Sequence, residues 1–356
     1  MKIFPLLLAF SLGLAACTKT PSESAVAPKP SDASGDKTES SAAKDANAQT
    51  KLLVVTTVAP LTNIASNIAG DRIQVTGIVP EGTNSHTFEP RPSDGDLLAK
   101  ANLILVNGLD LEDPSINLAK AVKPEGTEIY ELGTNTISRD QWVFDNSFPN
   151  AGGKPNPHLW VSTAYAEAYA KESAEQLTKL DPEGADYYKK NLDAYLAKLA
   201  ELDRVTREVV ESIPAANRKL LTYHDSWPYW AKQYGFEVIG AIQPSDFNEP
   251  SAQDVAALID QIRQTGVPAI FGSEVFPSKV EEQIAQEANV KLANTSDDDL
   301  PGEGSANAME NDNPEHTYIG MMADNLRILA DNLGGDASLV DQLDTTNVVG
   351  PTASKG

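Results

Sequence analysis

The sequence predicts an α/β fold of two lobes, each with a mainly parallel sheet flanked by helices, joined by one long backbone helix. Two observations lead to this prediction. Short runs rich in β-branched residues alternate with helix-like stretches in both halves of the chain, a pattern typical of parallel sheets with crossover helices. Between the halves, residues 181–213 carry no strand signal, and their apolar residues recur at helical spacing.

The first 17 residues predict a lipoprotein signal peptide. Lys2 precedes an uncharged run from Ile3 to Ala16, which is too short to span a bilayer and has the length of a signal-peptide core. Small residues before Cys17 resemble the bacterial lipoprotein cleavage box, so we expect Cys17 to be lipidated; an incidental residue of a peptide cut elsewhere is the alternative. Because Cys17 is the only cysteine, the sequence excludes an internal disulfide and a thiolate ligand.

Residues 18–50 predict a disordered tether, because they contain too few large apolar side chains to offset the entropy of ordering. The first α/β lobe is expected at 51–180, the linking helix at 181–213 and the second lobe at 214–335; residues 336–356 form a tail without a clear pattern. Strands are predicted at 51–58, 72–79, 101–108, 127–132, 218–223, 236–242, 268–273 and 290–295.

Composition limits the choice of partners. The chain has 356 residues, enough for about two domains, and a net charge of −23. Such an acidic protein repels nucleic acid, so we expect no nucleic-acid partner, and it attracts cations.

The positions of the histidines relative to the predicted strands indicate a metal site. His86 follows the second strand by a short loop, His224 directly follows the fifth, and the acidic run 297–299 follows the eighth. His158 lies in a proline-rich loop near the end of the first lobe. Ligands of open α/β sheets bind beyond the carboxyl ends of strands, so two facing lobes could bring these residues together. Three imidazoles and one carboxylate would make a four-coordinate site, although each residue alone is typical of a turn.

The motifs around these residues resemble those of the zinc- and manganese-type solute-binding proteins of bacterial ABC transporters, whose two lobes are joined by one rigid helix. The resemblance covers most of residues 51–333 and includes HTFEPRPSD from His86, NPHLWVS around His158 and TYHDSWPYWAKQYGF around His224. It implies that His86, His158, His224 and one aspartate are the metal ligands. The spacing in that family, an aspartate two residues before an aliphatic residue, points to Asp298, and Asp297 and Asp299 stay open.

The resemblance also implies a function. We expect a monomeric, extracytoplasmic receptor, anchored to the membrane through Cys17, that delivers a divalent metal to an ABC permease and is not an enzyme. Imidazole ligands favour Zn²⁺ as the transported ion, with Mn²⁺ as the alternative. A surface adhesin and a zinc hydrolase are the other candidates; four ligands and the lack of an H-E-x-x-H box argue against the hydrolase.

Three further residues have predicted roles near the site. Glu89 and Glu274 are candidates to orient the ligands through hydrogen bonds. His316 ends an acidic insert at 302–316, and we expect it to begin a helix rather than to bind metal.

Overall fold

The computed structural model describes residues 51–145, 147–243, 248–273, 278–300 and 316–349. Cys17, the tether at 18–50, Glu274 and residues 302–315 of the acidic insert lie outside this part of the chain.

Each run predicted as a strand forms a strand, and the strands build two parallel sheets. The strands are β1 (Leu53–Thr56), β2 (Gln74–Gly77), β3 (Leu103–Val106), β4 (Glu128–Glu131), β5 (Lys219–Thr222), β6 (Glu237–Ala241), β7 (Ala269–Ser273) and β8 (Lys291–Thr295). The sheet orders are β2-β1-β3-β4 and β6-β5-β7-β8. In the first sheet Leu53 pairs with Gln74 and Val54 with Leu103. The predicted fold class is therefore confirmed.

Helices connect the parallel strands, as such crossovers require. They are α1 (Ala59–Ala69), α2 (Pro92–Leu98), α3 (Asp113–Val122), α4 (Leu132–Thr136), α5 (Thr163–Leu180), α6 (Ala185–Ser212), α7 (Pro228–Tyr234), α8 (Ala252–Thr265), α9 (Lys279–Ala288) and α10 (Tyr318–Leu333). The tail, which the sequence left unassigned, contains a 3₁₀ helix at Ala337–Gln342. None of the helices among the described residues combines the length and the hydropathy of a membrane-spanning segment.

The linking helix α6 begins later than the sequence pattern predicts. Asp181 accepts hydrogen bonds from the side chains of Arg72 and Tyr188, and Pro182–Gly184 forms a 3₁₀ turn before the helix. The apolar stripe of α6 is buried as expected, with Leu199 and Leu202 fully inaccessible to solvent. The buried apolar side chains of α6 form part of the largest hydrophobic core.

One hydrophobic core surrounds α6 and includes residues of both sheets. Val54 and Leu105 from the first sheet share a cluster with Leu199 of α6 and with Leu220 and Phe271 from the second sheet. Because β-strand side chains alternate between faces, the neighbouring residues point the other way.

The outward faces of the sheets are covered by separate clusters. Val55 and Ile104 pack with residues of α2 and α3, and Ile270 packs with residues of α8 and α9. Both sheets are thus buried on both faces, as parallel sheets usually are. The loops after the carboxyl ends of the strands stay available to carry polar side chains.

Candidate metal centre

The turn that carries His86 is bonded to the loop that carries the three aspartates. Gly82, with φ +67°, donates its N–H to the carbonyl of Leu300 at 3.0 Å, and the Thr83 N–H donates to Asp299 Oδ2 at 3.2 Å. The Asn84 side chain accepts the backbone N–H of His86 at 2.9 Å. These bonds hold a turn of the first lobe against a loop of the second.

His158 is fully buried, and Asn156 fixes the orientation of its ring. Asn156 Oδ1 accepts the backbone N–H of His158 at 3.0 Å and lies 2.9 Å from its ring Nδ1. Because the backbone N–H can only donate, the atom that meets both groups is the amide oxygen, and Nδ1 must carry a proton. Nε2 of His158 therefore presents a lone pair.

His224 directly follows β5 and is also fully buried. Its Nδ1 lies 3.0 Å from Gln243 Oε1, at the end of β6, which places the proton on Nδ1 and the lone pair on Nε2. Neither Asn156 nor Gln243 was predicted from the sequence to be a functional residue. Asn156 stands in the quoted NPHLWVS motif, whereas nothing in the sequence marks Gln243.

The three imidazoles meet at their Nε2 atoms. The distances are 2.9 Å between His86 and His158, 3.0 Å between His86 and His224, and 3.0 Å between His158 and His224. Each of these atoms lies about 1.7 Å from the centre of the triangle, so an ion bonded at about 2.0–2.1 Å fits just outside its plane. Lone pairs that face each other at this distance repel unless a cation lies between them.

Asp298 is the aspartate that faces the imidazoles. Its Oδ2 lies 3.4 Å from Nε2 of His158, and its Oδ1 is buried without a hydrogen-bond partner among the described residues. Asp297, with φ +59°, instead accepts hydrogen bonds from the side chains of Ser226 and Trp227. Asp299 accepts the backbone N–H groups of Leu300 and Thr83.

Burial determines the charge of the site. Desolvation lowers the pKa of His86 and His158 well below the usual value and lowers that of His224 to about 4. Burial, reinforced by the charges of Asp297 and Asp299, raises the pKa of the Asp298 carboxyl well above its usual value. Burial therefore favours neutral imidazoles and a protonated Asp298 carboxyl, and a cation would favour the ionised carboxylate.

The remaining candidate residues are not members of the histidine cluster, or lie outside the described residues. Glu89 is exposed, and its role in orienting the ligands stays a prediction. His316 Nδ1 lies 2.7 Å from the buried carboxylate of Glu81, and His316 is not part of the histidine cluster. Glu274 lies outside the described ranges, so its role stays a prediction.

Replacing Asn156 with alanine should weaken Zn²⁺ binding about 10- to 100-fold, because the variant loses the hydrogen bond that fixes the tautomer and orientation of the His158 ring. A competition titration measures the affinity, and the ¹⁵N shifts of the His158 ring report the tautomer. Asn150→Ala, an exposed change in the same loop, is the control. If Asn156→Ala kept full affinity and a single Nδ1–H tautomer, Asn156 would have no positioning role.

The chain is similar in sequence to metal-binding proteins of bacterial transporters. The sequence model of the family described as "Zinc-uptake complex component A periplasmic" matches residues 54–332. The manganese ABC transporter substrate-binding lipoprotein PsaA of Streptococcus pneumoniae is 31% identical over 284 residues, which cover 80% of this chain and 89% of PsaA. The metal ABC transporter substrate-binding lipoprotein FimA of Streptococcus parasanguinis is 30% identical over 284 residues, with the same coverage of 80% and 89%.

Solved structures of periplasmic metal-binding proteins are similar to this chain in fold. The periplasmic zinc-binding protein TroA from Treponema pallidum superposes with a TM-score of 0.71 at 28% identity and covers 80% of this chain and 99% of its own. The Mn-bound periplasmic metal-binding protein from Candidatus Liberibacter asiaticus superposes with a TM-score of 0.66 at 25% identity, covering 80% and 100%. The related structures thus include both zinc and manganese binders.

Proposed function

Since the chain belongs to the periplasmic zinc-uptake component A family, we propose that it is the substrate-binding receptor of an ABC transporter for a divalent transition metal. The receptor binds Zn²⁺ or Mn²⁺ between its two lobes and delivers the ion to the permease for import. Membership of the family confirms the resemblance of the motifs. Its members are transport proteins that bind a substrate and are not enzymes, so we propose no catalytic role.

The proposal includes the cellular setting. Relatives are named as lipoproteins, and we propose that Cys17 anchors this chain, as a monomer, to the extracytoplasmic face of a membrane. Residues 18–50 would then act as the tether. We propose lobes at 51–180 and 214–335 on either side of the linking segment 181–213.

The meeting of the three Nε2 atoms is the observation that most supports metal binding. His86 and His158 come from the first lobe and His224 and Asp298 from the second, so we propose that one ion bonds all four and bridges the lobes. The donor set of three nitrogens and one carboxylate matches what divalent transition metals accept. Bonding to the ion would also give the unpartnered Asp298 Oδ1 a partner.

Zinc is the ion that we propose as favoured, because imidazole suits Zn²⁺ and Mn²⁺ stands lowest in the Irving–Williams order. Mn²⁺ stays an alternative, since relatives are named for manganese and Asp298 has both oxygens available to raise the coordination number. Elemental analysis of protein purified without added metal, followed by competition titration of Zn²⁺ against Mn²⁺, tests this choice. Tighter binding of Mn²⁺ than of Zn²⁺ would overturn the preference for zinc.

The adhesin alternative makes a different prediction in cells. A strain that lacks this protein should lose metal uptake if the protein is a receptor. Loss of attachment with normal metal content would favour the adhesin instead.

As the pH falls, protonation of Asp298 should weaken metal binding at a higher pH than protonation of the histidines does. Below the raised pKa of Asp298, each bound ion must displace the carboxyl proton, so affinity should fall about tenfold per pH unit. Histidine rings with the ordinary pKa of about 6.5 would be mostly protonated below pH 6. Burial lowers the pKa of His224 to about 4, so protonation of its ring requires more acidic conditions. Calorimetry at several pH values, in buffers of different ionisation enthalpy, should show release of a carboxyl proton beginning at a higher pH than release of imidazole protons. Imidazole protons released together with, or before, the carboxyl proton as the pH falls would contradict this order.

A further inference from the structure

The backbone carbonyl of Asp298 accepts a hydrogen bond from the indole of Trp160. The distance from Trp160 Nε1 to the carbonyl oxygen is 2.8 Å, and Trp160 is 1% exposed. An indole has one N–H group and no acceptor, so this bond uses the whole hydrogen-bonding capacity of the side chain. Trp160 follows His158 by two residues, whereas Asp298 lies in the loop after β8. The bond therefore joins the segments that carry two of the proposed ligands.

The same indole packs against the imidazole of His158. The two ring centroids lie 5.2 Å apart, and the ring planes meet at 62°, which is an edge-to-face arrangement. Trp160 thus contacts one proposed ligand through its ring and holds the backbone of another through its N–H group. Oδ2 of Asp298 lies 3.4 Å from Nε2 of His158. A side chain that contacts both residues helps to set this separation.

The backbone of Trp160 is held by α10. The carbonyl of Trp160 accepts the hydroxyl of Tyr318 at 2.7 Å, and the N–H of Tyr318 donates to Asn63 Oδ1 at 3.1 Å. Trp160 lies in the 3₁₀ turn Leu159–Val161, and Tyr318 is the first residue of α10 and is buried. The indole N–H therefore projects from a part of the chain that buried hydrogen bonds hold in place, as a positioning group requires.

A second bond from α10 fixes the preceding peptide of the aspartate loop. Asn325 is fully buried, and its Nδ2 donates to the carbonyl of Asp297 at 2.8 Å. Asp297 has a left-handed backbone, with φ +59°, which is unfavourable for most residues with a side chain unless contacts hold it. The carbonyls of Asp297 and Asp298 thus each accept one buried side-chain N–H. Holding the two peptides that flank the Cα of Asp298 sets the direction in which its side chain leaves the backbone.

The carboxyl of Asp298 has less support of its own than the carboxyls of its neighbours. Its Oδ1 is buried without a hydrogen-bond partner among the described residues. Asp297 accepts the indole N–H of Trp227 at 2.7 Å, and Asp299 accepts the backbone N–H of Thr83 at 3.2 Å. The backbone therefore directs the Asp298 carboxyl more than side-chain contacts do.

We propose that Trp160 is a positioning residue of the metal site, whose indole N–H holds the Asp298 backbone so that the carboxylate meets the ion beside His158. The inference rests on the proposed function as a metal receptor and adds a residue that does not bind the ion itself. Without the N–H group, the buried carbonyl of Asp298 loses its donor, and the loop is less firmly held. The loss of affinity should resemble that for partners of metal ligands, at the lower end of 10- to 100-fold.

Trp160→Phe tests the proposal, because it keeps an aromatic ring and removes the N–H group. We expect Zn²⁺ to bind about tenfold more weakly, as measured by competition titration. The matched control is Trp230→Phe, which makes the same change at a buried indole that packs on Trp227 and Phe236. Both variants should lower the Tm of the apo protein, but Trp230→Phe should keep the wild-type Kd.

A second replacement separates the N–H group from the size of the ring. Benzothiophene in place of the Trp160 indole keeps the two-ring shape and has sulfur where the indole has its N–H group. This variant should fill the same space in the core and still bind Zn²⁺ about as weakly as Trp160→Phe does. Wild-type affinity in the benzothiophene variant would overturn the role of the N–H group.

A double-mutant cycle with Asp298→Ala shows whether Trp160 acts through Asp298. Asp298→Ala keeps three imidazoles, so its Zn²⁺ affinity can be measured. Trp160→Phe should cost about tenfold in the wild-type background and almost nothing in Asp298→Ala. The visible spectrum of bound Co²⁺ depends on the ligands and their geometry, so the Trp160→Phe spectrum should shift toward that of Asp298→Ala.

Equal losses of affinity in the two backgrounds would mean that Trp160 acts through His158 or through general stability, and would overturn the proposal. A Co²⁺ spectrum of Trp160→Phe identical to that of the wild type would also contradict it. Wild-type protein that binds no Zn²⁺ would instead overturn the proposed function, so the two failures are distinguishable.

Discussion

Replacing His158 with alanine is expected to weaken Zn²⁺ binding by at least about a hundredfold. The loss of a hydrogen-bonding partner of a metal ligand typically costs 10- to 100-fold, and loss of the ligand itself should cost more. His158 lies 2.9 Å from His86 and 3.0 Å from His224 at Nε2, so its removal breaks the nitrogen triangle. A competition titration against a chelator of known affinity measures the change.

Two variants make this result interpretable. His86→Ala removes a less buried ring and should also reduce affinity at least tenfold, which separates loss of a ligand from damage to the core around His158. His316→Ala removes an imidazole that pairs with Glu81, away from the triangle, and should bind Zn²⁺ as wild type does. Unchanged affinity in His158→Ala would remove His158 from the proposed site.

Bound metal should stabilise the folded protein by about 4 kcal/mol when the free ion exceeds Kd a thousandfold, since the ion binds only the folded state. For a folded region of about 300 residues this corresponds to a rise in Tm of about 6 °C. The bound cation removes the repulsion between the imidazole lone pairs that face each other, and it allows the Asp298 carboxyl to ionise. These two effects at the site account for the expected rise in Tm. Thermal unfolding of apo and Zn²⁺-loaded protein, followed by circular dichroism, measures it.

Chelation should lower Tm without unfolding the protein at 25 °C. The apo fold keeps three hydrophobic clusters, the largest around α6, which do not depend on the site. His158→Ala should lose most of the metal-induced rise, and His316→Ala should keep it. If a chelator alone unfolded the wild-type protein at room temperature, the ion would be structural and the receptor proposal would fail.

The eight strands could be predicted from the sequence because they are short apolar runs separated by turn residues, and burial on both faces leaves a simple pattern. The association of His86, His224 and the aspartate run with strand ends could be predicted for the same reason. The start of α6 could not be predicted from the sequence, because it depends on contacts of the Asp181 side chain. Asp181 accepts hydrogen bonds from Arg72, which is distant in sequence, and from Tyr188, which follows the 3₁₀ turn.

The sequence by itself determined the parallel α/β class, the long helix and the four segments that carry the proposed ligands, since periodicity and the alternation of strands with helices follow from local composition. The family resemblance pointed to Asp298 but left Asp297 and Asp299 open, and the tertiary structure shows which of these three aspartates faces the imidazoles. A left-handed backbone at Asp297 directs that side chain to Ser226 and Trp227, and Asp299 turns back to Thr83, which leaves Asp298 beside His158. The choice depends on contacts between the two lobes, and adjacent residues of the same type carry no local signal of such contacts.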